Sequence, residues 1–168
     1  MPGLSRADIE DAYRQYAHSV LRRAQRLLGS QSEAHEVLQE VFMALLERPG
    51  QFAGQSSLLT WLYSAATHAC LNRLRNARSR TELAERHQGA LLPPSSWCAP
   101  DQALVVRRLL AGLRDELAAV AVYHHLDRMT LDETAEALGC SRRKVAYLLA
   151  ELREHLSRRE TPSDQPVL

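Results

Sequence analysis

The strongest constraint on what this chain can fold into lies within residues 130–154, where capping, small and apolar residues recur at the spacing of a tight corner between two helices. Thr130 and Glu133 form a Thr-x-x-Glu box, whose two side chains satisfy two free amides at a helix start. Ala135 is small where two helices must cross closely. Gly139 supplies the positive φ of a tight turn, which other residues adopt only with strain. Ser141 is a good N-cap for a second helix. Val145 and Leu148 then fall where that helix must bury apolar side chains against the first, and Leu138 and Cys140 are expected to fill the interior of the corner. Together these requirements predict helices over 131–138 and 142–156 in a helix-turn-helix.

The second helix opens with Arg142, Arg143 and Lys144, with Tyr147 one turn on. Cations are disfavoured near the positive end of a helix, so three of them ask for an anionic partner. In such corners the first turns of the second helix enter the major groove. Arg there can bind guanine bidentately, while Lys and further Arg serve phosphates. Ser141, Arg142, Arg143, Lys144 and Tyr147 are therefore the expected DNA contacts.

A net charge of +1 hides a segregated distribution. Residues 72–80 (NRLRNARSR) hold four Arg and no acid, and Arg153, Arg158 and Arg159 form another basic group, whereas acids gather at 8–11 and 33–47. That pattern is compatible with a polyanion on one side and a protein on another. Aromatics are only 5%, while Ala, Leu, Arg and Glu abound, which leans all-helical. Cys70, Cys98 and Cys140 are odd in number with no C-x-x-C pair, against a disulfide framework or a zinc finger. His68 and Cys70 fit no common ligand spacing, so no metal is expected. There is no sign of paired catalytic carboxylates, a nucleophile triad or a phosphate loop; neither catalytic residues nor a cofactor are expected. No apolar run reaches about 18 residues, and the N-terminus lacks the apolar core of a signal peptide, so the expected location is cytoplasmic without membrane insertion.

Upstream of the corner, apolar spacing predicts a helix over 9–28, stopped by Gly29. Ser30 and Glu33 make a further box, and the next helix carries Val37, Leu38, Val41, Phe42, Leu45 and Leu46 on one stripe before Pro49-Gly50. A short loop over 51–57 leads to a long helix over 58–80, apolar and aromatic at first and basic later. Residues 81–102 contain Gly89, Pro93-Pro94, Ser95-Ser96 and Pro100 and read as a linker. Helical segments over 102–117 and 117–126, one helix or two, precede the corner, and a tail from Arg158 is expected to fray. The expected fold is all-α: two small helical domains, 8–80 and 103–157, joined by a flexible linker over 81–102, the C-terminal one containing the helix-turn-helix.

The N-terminal half carries a resemblance. Residues 32–45 (SEAHEVLQEVFMAL) resemble the core-polymerase-binding helix of bacterial RNA polymerase sigma factors, and 52–75 (FAGQSSLLTWLYSAATHACLNRLR) look like their promoter-melting segment. Residues 105–156 resemble their C-terminal DNA-binding domain. The likeness spans about residues 8–157, and two domains without more is the plan of the extracytoplasmic-function (alternative) class of the sigma-70 family. The resemblance implies that Glu33, Glu36, Leu38, Gln39 and Glu40 dock on the clamp helices of the polymerase β′ subunit, with the C-terminal domain meeting the β flap. It implies a pocket for a flipped base of the −10 element at Phe52, Gln55, Ser56 and Ser57, an aromatic and polar lining that an unstacked base needs. His68 stands where the family often has Asn, and Asn72, Arg73, Arg75 and Arg78 would follow the phosphates. The helix from Arg142 would read the −35 element. His35 departs from the Asp usual in the family, and Tyr123-His124-His125-Leu126 departs from its common Arg-Tyr pair; a surface or capping role is expected for the two histidines. An anti-sigma partner, often membrane-bound, commonly holds members inactive.

Three readings compete: a sigma factor, a dimeric helix-turn-helix regulator, and a helical enzyme or scaffold in which the corner is incidental. The second is disfavoured by the separate basic and acidic helices of the N-terminal half, and the third lacks any catalytic constellation. Co-purification with core polymerase discriminates among them.

Overall fold

The computed structural model describes residues 4–54, 56–88 and 101–160. Every regular element among them is helical, and they fall into two compact units, Met1–Leu113 and Arg114–Leu168.

The first unit holds α1 (Arg6–Leu28), α2 (Gln31–Glu47), α3 (Leu58–Gln88) and α4 (Asp101–Ala111). Helix α1 starts three residues earlier than its apolar spacing indicated, because Ser5 and Asp8 form a reciprocal capping box. It ends at Gly29, which adopts the left-handed conformation with φ 73°. Ser30 then caps α2 by accepting from the Glu33 amide at 3.3 Å. Helices α1, α2 and α3 pack on one another. Val20, Ala24, Leu27 and Leu28 of α1, Val37, Leu38, Val41 and Leu45 of α2, and Leu62, Ala66 and Leu71 of α3 are buried between them. Each fully buried Leu or Val contributes roughly 1.5–3 kcal/mol relative to exposure. Two apolar residues at helical spacing stay at the surface. Tyr13 is half exposed with its ring edge-on to Phe42 at 5.0 Å, and Leu46 lies at the open rim of α2 instead of in the stripe. A polar tie joins α1 to α3: the buried Arg23 donates Nε to Thr67 Oγ1 at 2.8 Å and stacks over Tyr63, 4.8 Å from the ring centre. Thr67 in turn donates to the Tyr63 carbonyl at 2.7 Å.

The structure moves two expected boundaries. Helix α3 continues past residue 80 to Gln88, helped by an Arg78–Glu82 pair one turn apart and by Thr81 Oγ1 bonding back to the Ala77 carbonyl. Residues 81–88, expected in the linker, are thus helical, and the linker's Pro93-Pro94, with Trp97 and Cys98, lies outside the described residues. Helix α4, expected in the second domain and continuous to 117, ends at Ala111 and packs on α3 in the first unit. Arg107 and Leu110 are buried there. Arg107 Nε donates to the Leu27 carbonyl at 3.0 Å, placing a cation at the C-terminal end of α1, where the helix dipole favours it. Burial pushes the Arg107 pKa below its ordinary value.

The second unit holds α5 (Asp115–Val120), α6 (Leu131–Leu138) and α7 (Arg142–Glu160). Helix α5 runs on as a π-helical segment over Ala121–Leu126, closed by the Asp127 amide donating to Val122 at 2.9 Å. Leu117 to Tyr123 are buried, as are Thr134, Ala135 and Ala137 of α6 and Val145, Leu148, Leu149 and Leu152 of α7. Helix α7 carries on through Arg158 to Glu160, beyond the expected point of fraying.

Gly29 is doubly constrained, by its φ and because a Cβ there would run into the Arg107 guanidinium. Gly29→Ala should therefore destabilise the first unit by about 1–3 kcal/mol, read as a lower urea midpoint at unchanged slope.

Candidate nucleic-acid interface

The corner forms as its residues dictate. Thr130 Oγ1 accepts from the Glu133 amide at 3.3 Å, and Glu133 Oε2 accepts from the Thr130 amide and hydroxyl, each at 2.8 Å. Those bonds, the backbone one foremost, hold the Glu133 carboxyl below the usual carboxylate range. Gly139 takes φ 62°, and the Cys140 amide reaches back to the Ala135 carbonyl at 3.0 Å. Ser141 Oγ caps α7 through the Lys144 amide at 3.2 Å. Ala135, Val145 and Leu148 are buried as expected, whereas Leu138 and Cys140, expected inside the corner, are only half-buried.

The three cations at the start of α7 are not equivalent. Arg142 pairs with Asp132 of α6 at 3.4 Å. Lys144 pairs with Glu116 of α5, and Arg114 joins Glu116 at 2.8 Å and also Glu151 of α7. The Lys144 bond lowers the Glu116 pKa, and Glu116 raises that of Lys144. Arg143 is exposed with no ion-pair partner among the described residues, and Tyr147, one turn along, is 67% exposed. The corner thus presents one uncommitted guanidinium beside an open aromatic ring, flanked by two cations already holding carboxylates.

In the first unit, Glu36, Gln39 and Glu40 line the open face of α2, with Glu33 half-buried at its start. Leu38, expected at the docking surface, is 6% exposed and belongs to the core. Met43 (53% exposed) and Leu46 (43%) are the apolar residues that this face offers instead. Their spacing from Gln39 and Glu40, three and four residues at a time, marks that face in the sequence. Arg73 of α3, expected on DNA phosphate, reaches this face: Nη1 meets Glu36 at 2.7 Å and Nη2 meets Glu40 at 3.1 Å. Burial would lower the Arg73 pKa, but the two carboxylates outweigh it and raise the pKa above its ordinary value.

The loop before α3 packs Phe52 edge-to-face on Trp61, centroids 6.5 Å apart, and Gly54 turns it with φ 69°. Ser57 is occupied as the α3 cap, its Oγ accepting from the Thr60 amide at 3.1 Å. Ser56 Oγ lies 3.4 Å from the Ser57 carbonyl, and Gln55 lies outside the described residues. Further along α3, His68 is exposed with Nδ1 bonded to the Ser64 carbonyl at 2.8 Å. Arg75 reaches exposed Asn72 at 3.5 Å, and Arg78 holds Glu82 at 2.6 Å. Phe52, Ser56 and Ser57 thus immediately precede the helix that carries the basic series, and several polar groups of this stretch are already engaged. In the second unit, His124 Nδ1 bonds the Met129 carbonyl at 2.8 Å and its ring meets His125 edge-on at 5.1 Å. Burial foremost, then His124 and Arg153, lowers the His125 pKa.

The fold and the corner define an all-helical protein of the helix-turn-helix type. Residues 12–80 match the family of sigma-70 region 2. The chain is 30% identical over 165 residues to RNA polymerase sigma factor YlaC of Bacillus subtilis, covering 94% of this chain and 95% of that protein. It is also 30% identical over 180 residues to ECF RNA polymerase sigma factor SigG of Mycobacterium tuberculosis, covering 90% of this chain but 48% of SigG, about half its length. Among solved structures it resembles the sigma factor RpoE of Bartonella quintana, determined with the anti-sigma factor NepR, at TM-score 0.50 and 15% identity over 90% of this chain and 95% of that one, a likeness of fold. The chain belongs to the extracytoplasmic-function class of sigma-70 family RNA polymerase sigma factors.

Cys70 lies fully buried on α3, and burial pushes its thiol up to about 12, with Arg23 and Arg73 pulling weakly the other way. Since thiolate is the reactive form, Cys70 should resist iodoacetamide in the folded protein and react on denaturation, as read by peptide mass mapping.

Proposed function

We propose that this chain, as an alternative sigma factor, docks on core polymerase through the open face of α2 and reads the −35 element with α7. The observation that carries the reading is that one chain bears both an acidic helix face edged with exposed apolar residues and a helix-turn-helix with an uncommitted Arg. Glu36, Gln39 and Glu40 supply polar contacts to the clamp helices of β′, and Met43 and Leu46 supply the apolar area that a docking surface needs at its centre. The second unit meets the β flap and sets α7 in the major groove, where Arg143 is the best-placed side chain for a guanine edge. Phe52, Ser56 and their neighbours hold the flipped −10 base, and Asn72, Arg75 and Arg78 face the strand. An anti-sigma partner would act by covering one of these surfaces.

The chain performs no chemistry of its own in this reading; it chooses where polymerase starts. Polymerase and promoter share the bacterial cytoplasm, and the chain works there. Among the described residues no helix is long and apolar enough to cross a membrane.

Reconstitution with core polymerase tests the whole: the chain should co-purify with core and support run-off transcription from a mapped promoter. Failure of both would remove the reading. Arg143→Ala should weaken −35-dependent initiation roughly 10-fold at intact core affinity, the loss of one bidentate base contact. Glu36→Lys with Glu40→Lys should lower core affinity at least tenfold, measured by fluorescence titration, because like charge across an interface is costly.

A further inference from the structure

Glu36 and Glu40 stand one helical turn apart on α2, where two like charges repel. Arg73 comes from α3, 37 and 33 residues further along the chain, and gives each carboxylate its own Nη. The Arg73 side chain is the least exposed of the three, 29% against 56% and 58% for the two glutamates. Both glutamates stay exposed while paired, so each keeps surface open to a partner. A planar fork bridging two acceptors fixes both glutamate side chains in one arrangement, which a point charge on a flexible stem does less well.

We infer that Arg73 is a positioning residue of the polymerase-docking face, holding Glu36 and Glu40 pre-ordered for the partner, and is not a contact to promoter phosphate. The inference rests on the proposed docking role of α2. It takes Arg73 out of the basic series of α3, leaving Asn72, Arg75 and Arg78 to the strand. Two glutamates ordered before the encounter no longer lose side-chain freedom on binding, so the partner's affinity is higher than for two mobile ones.

The test uses the full chain and purified core polymerase. Arg73→Gln should weaken core binding roughly 3- to 10-fold, the range for immobilising one or two such side chains. Arg73→Lys should recover only part of that loss. In a Glu36→Gln, Glu40→Gln background, Arg73→Gln should add less than about twofold, since the pair it orders is gone. Promoter opening at saturating core should be unchanged by Arg73→Gln. Unchanged or tighter core binding by Arg73→Gln would overturn the inference, as would defective promoter opening with core affinity intact. Should Arg73→Gln melt well below the parent, Arg73→Lys carries the comparison, with a smaller loss in the same direction expected. If the double glutamine background itself binds core normally, the docking reading of α2 fails first, and that result is distinct from a normal Arg73→Gln.

Discussion

The first unit turns on a buried cation at the carbonyl end of a helix. The last carbonyls of α1 have no partners within the helix, and Arg107 from α4 supplies one to Leu27. The same guanidinium crowds the space that a side chain at residue 29 would need, and with the left-handed φ of 73° this favours glycine at the reversal into α2. With that reversal set, α2 lies back along α1, α3 closes over both, and the outer face of α2 is determined. The acidic surface and the rim of Met43 and Leu46 are consequences of where α1 stops.

The corner of the second unit was legible in the sequence because each of its requirements is local. A threonine cap with its glutamate, a left-handed glycine and the apolar Ala135, Val145 and Leu148 are all within a few turns of one another and are found in place, and only Leu138 and Cys140 sit nearer the surface than expected. The α2 stripe was nearly as clear, missing only at its edge: two partner helices rotate the buried face toward Leu38 and leave Leu46 outside. What stayed hidden was set by pairing between distant segments. Arg107 looks like one more charged residue on a surface helix until α4 is seen on the first unit, 80 residues away in sequence from its Leu27 partner. Arg73 reads as one of a basic run until α3 is laid beside α2. The candidate −10 pocket was legible only through the family's pattern, and Ser57 illustrates why: the residue types that line a polar pocket are those that cap helices.

Both units share a habit of pairing their functional-looking charges internally. Arg73 is matched to two glutamates, Lys144 and Arg142 to a carboxylate each, and Arg114 ties Glu116 to Glu151. Exposed pairs of this kind add little to stability. Their effect is on which atoms are available and in what orientation, so residue type alone ranks the candidate contacts poorly.

The paired cations of α7 bear on how a DNA reader behaves as ionic strength changes. A free lysine brought to a phosphate displaces condensed counterions into solution, and that release drives binding at low salt. A lysine that leaves a carboxylate for a phosphate trades one anion for another and hands the stranded carboxylate back to water and cations. For α7 acting as the proposed reader, fewer ions are released than its three N-terminal cations would suggest. Its hold on arbitrary DNA is correspondingly damped, and what remains depends more heavily on the fit of Arg143 and Tyr147 to the bases they meet.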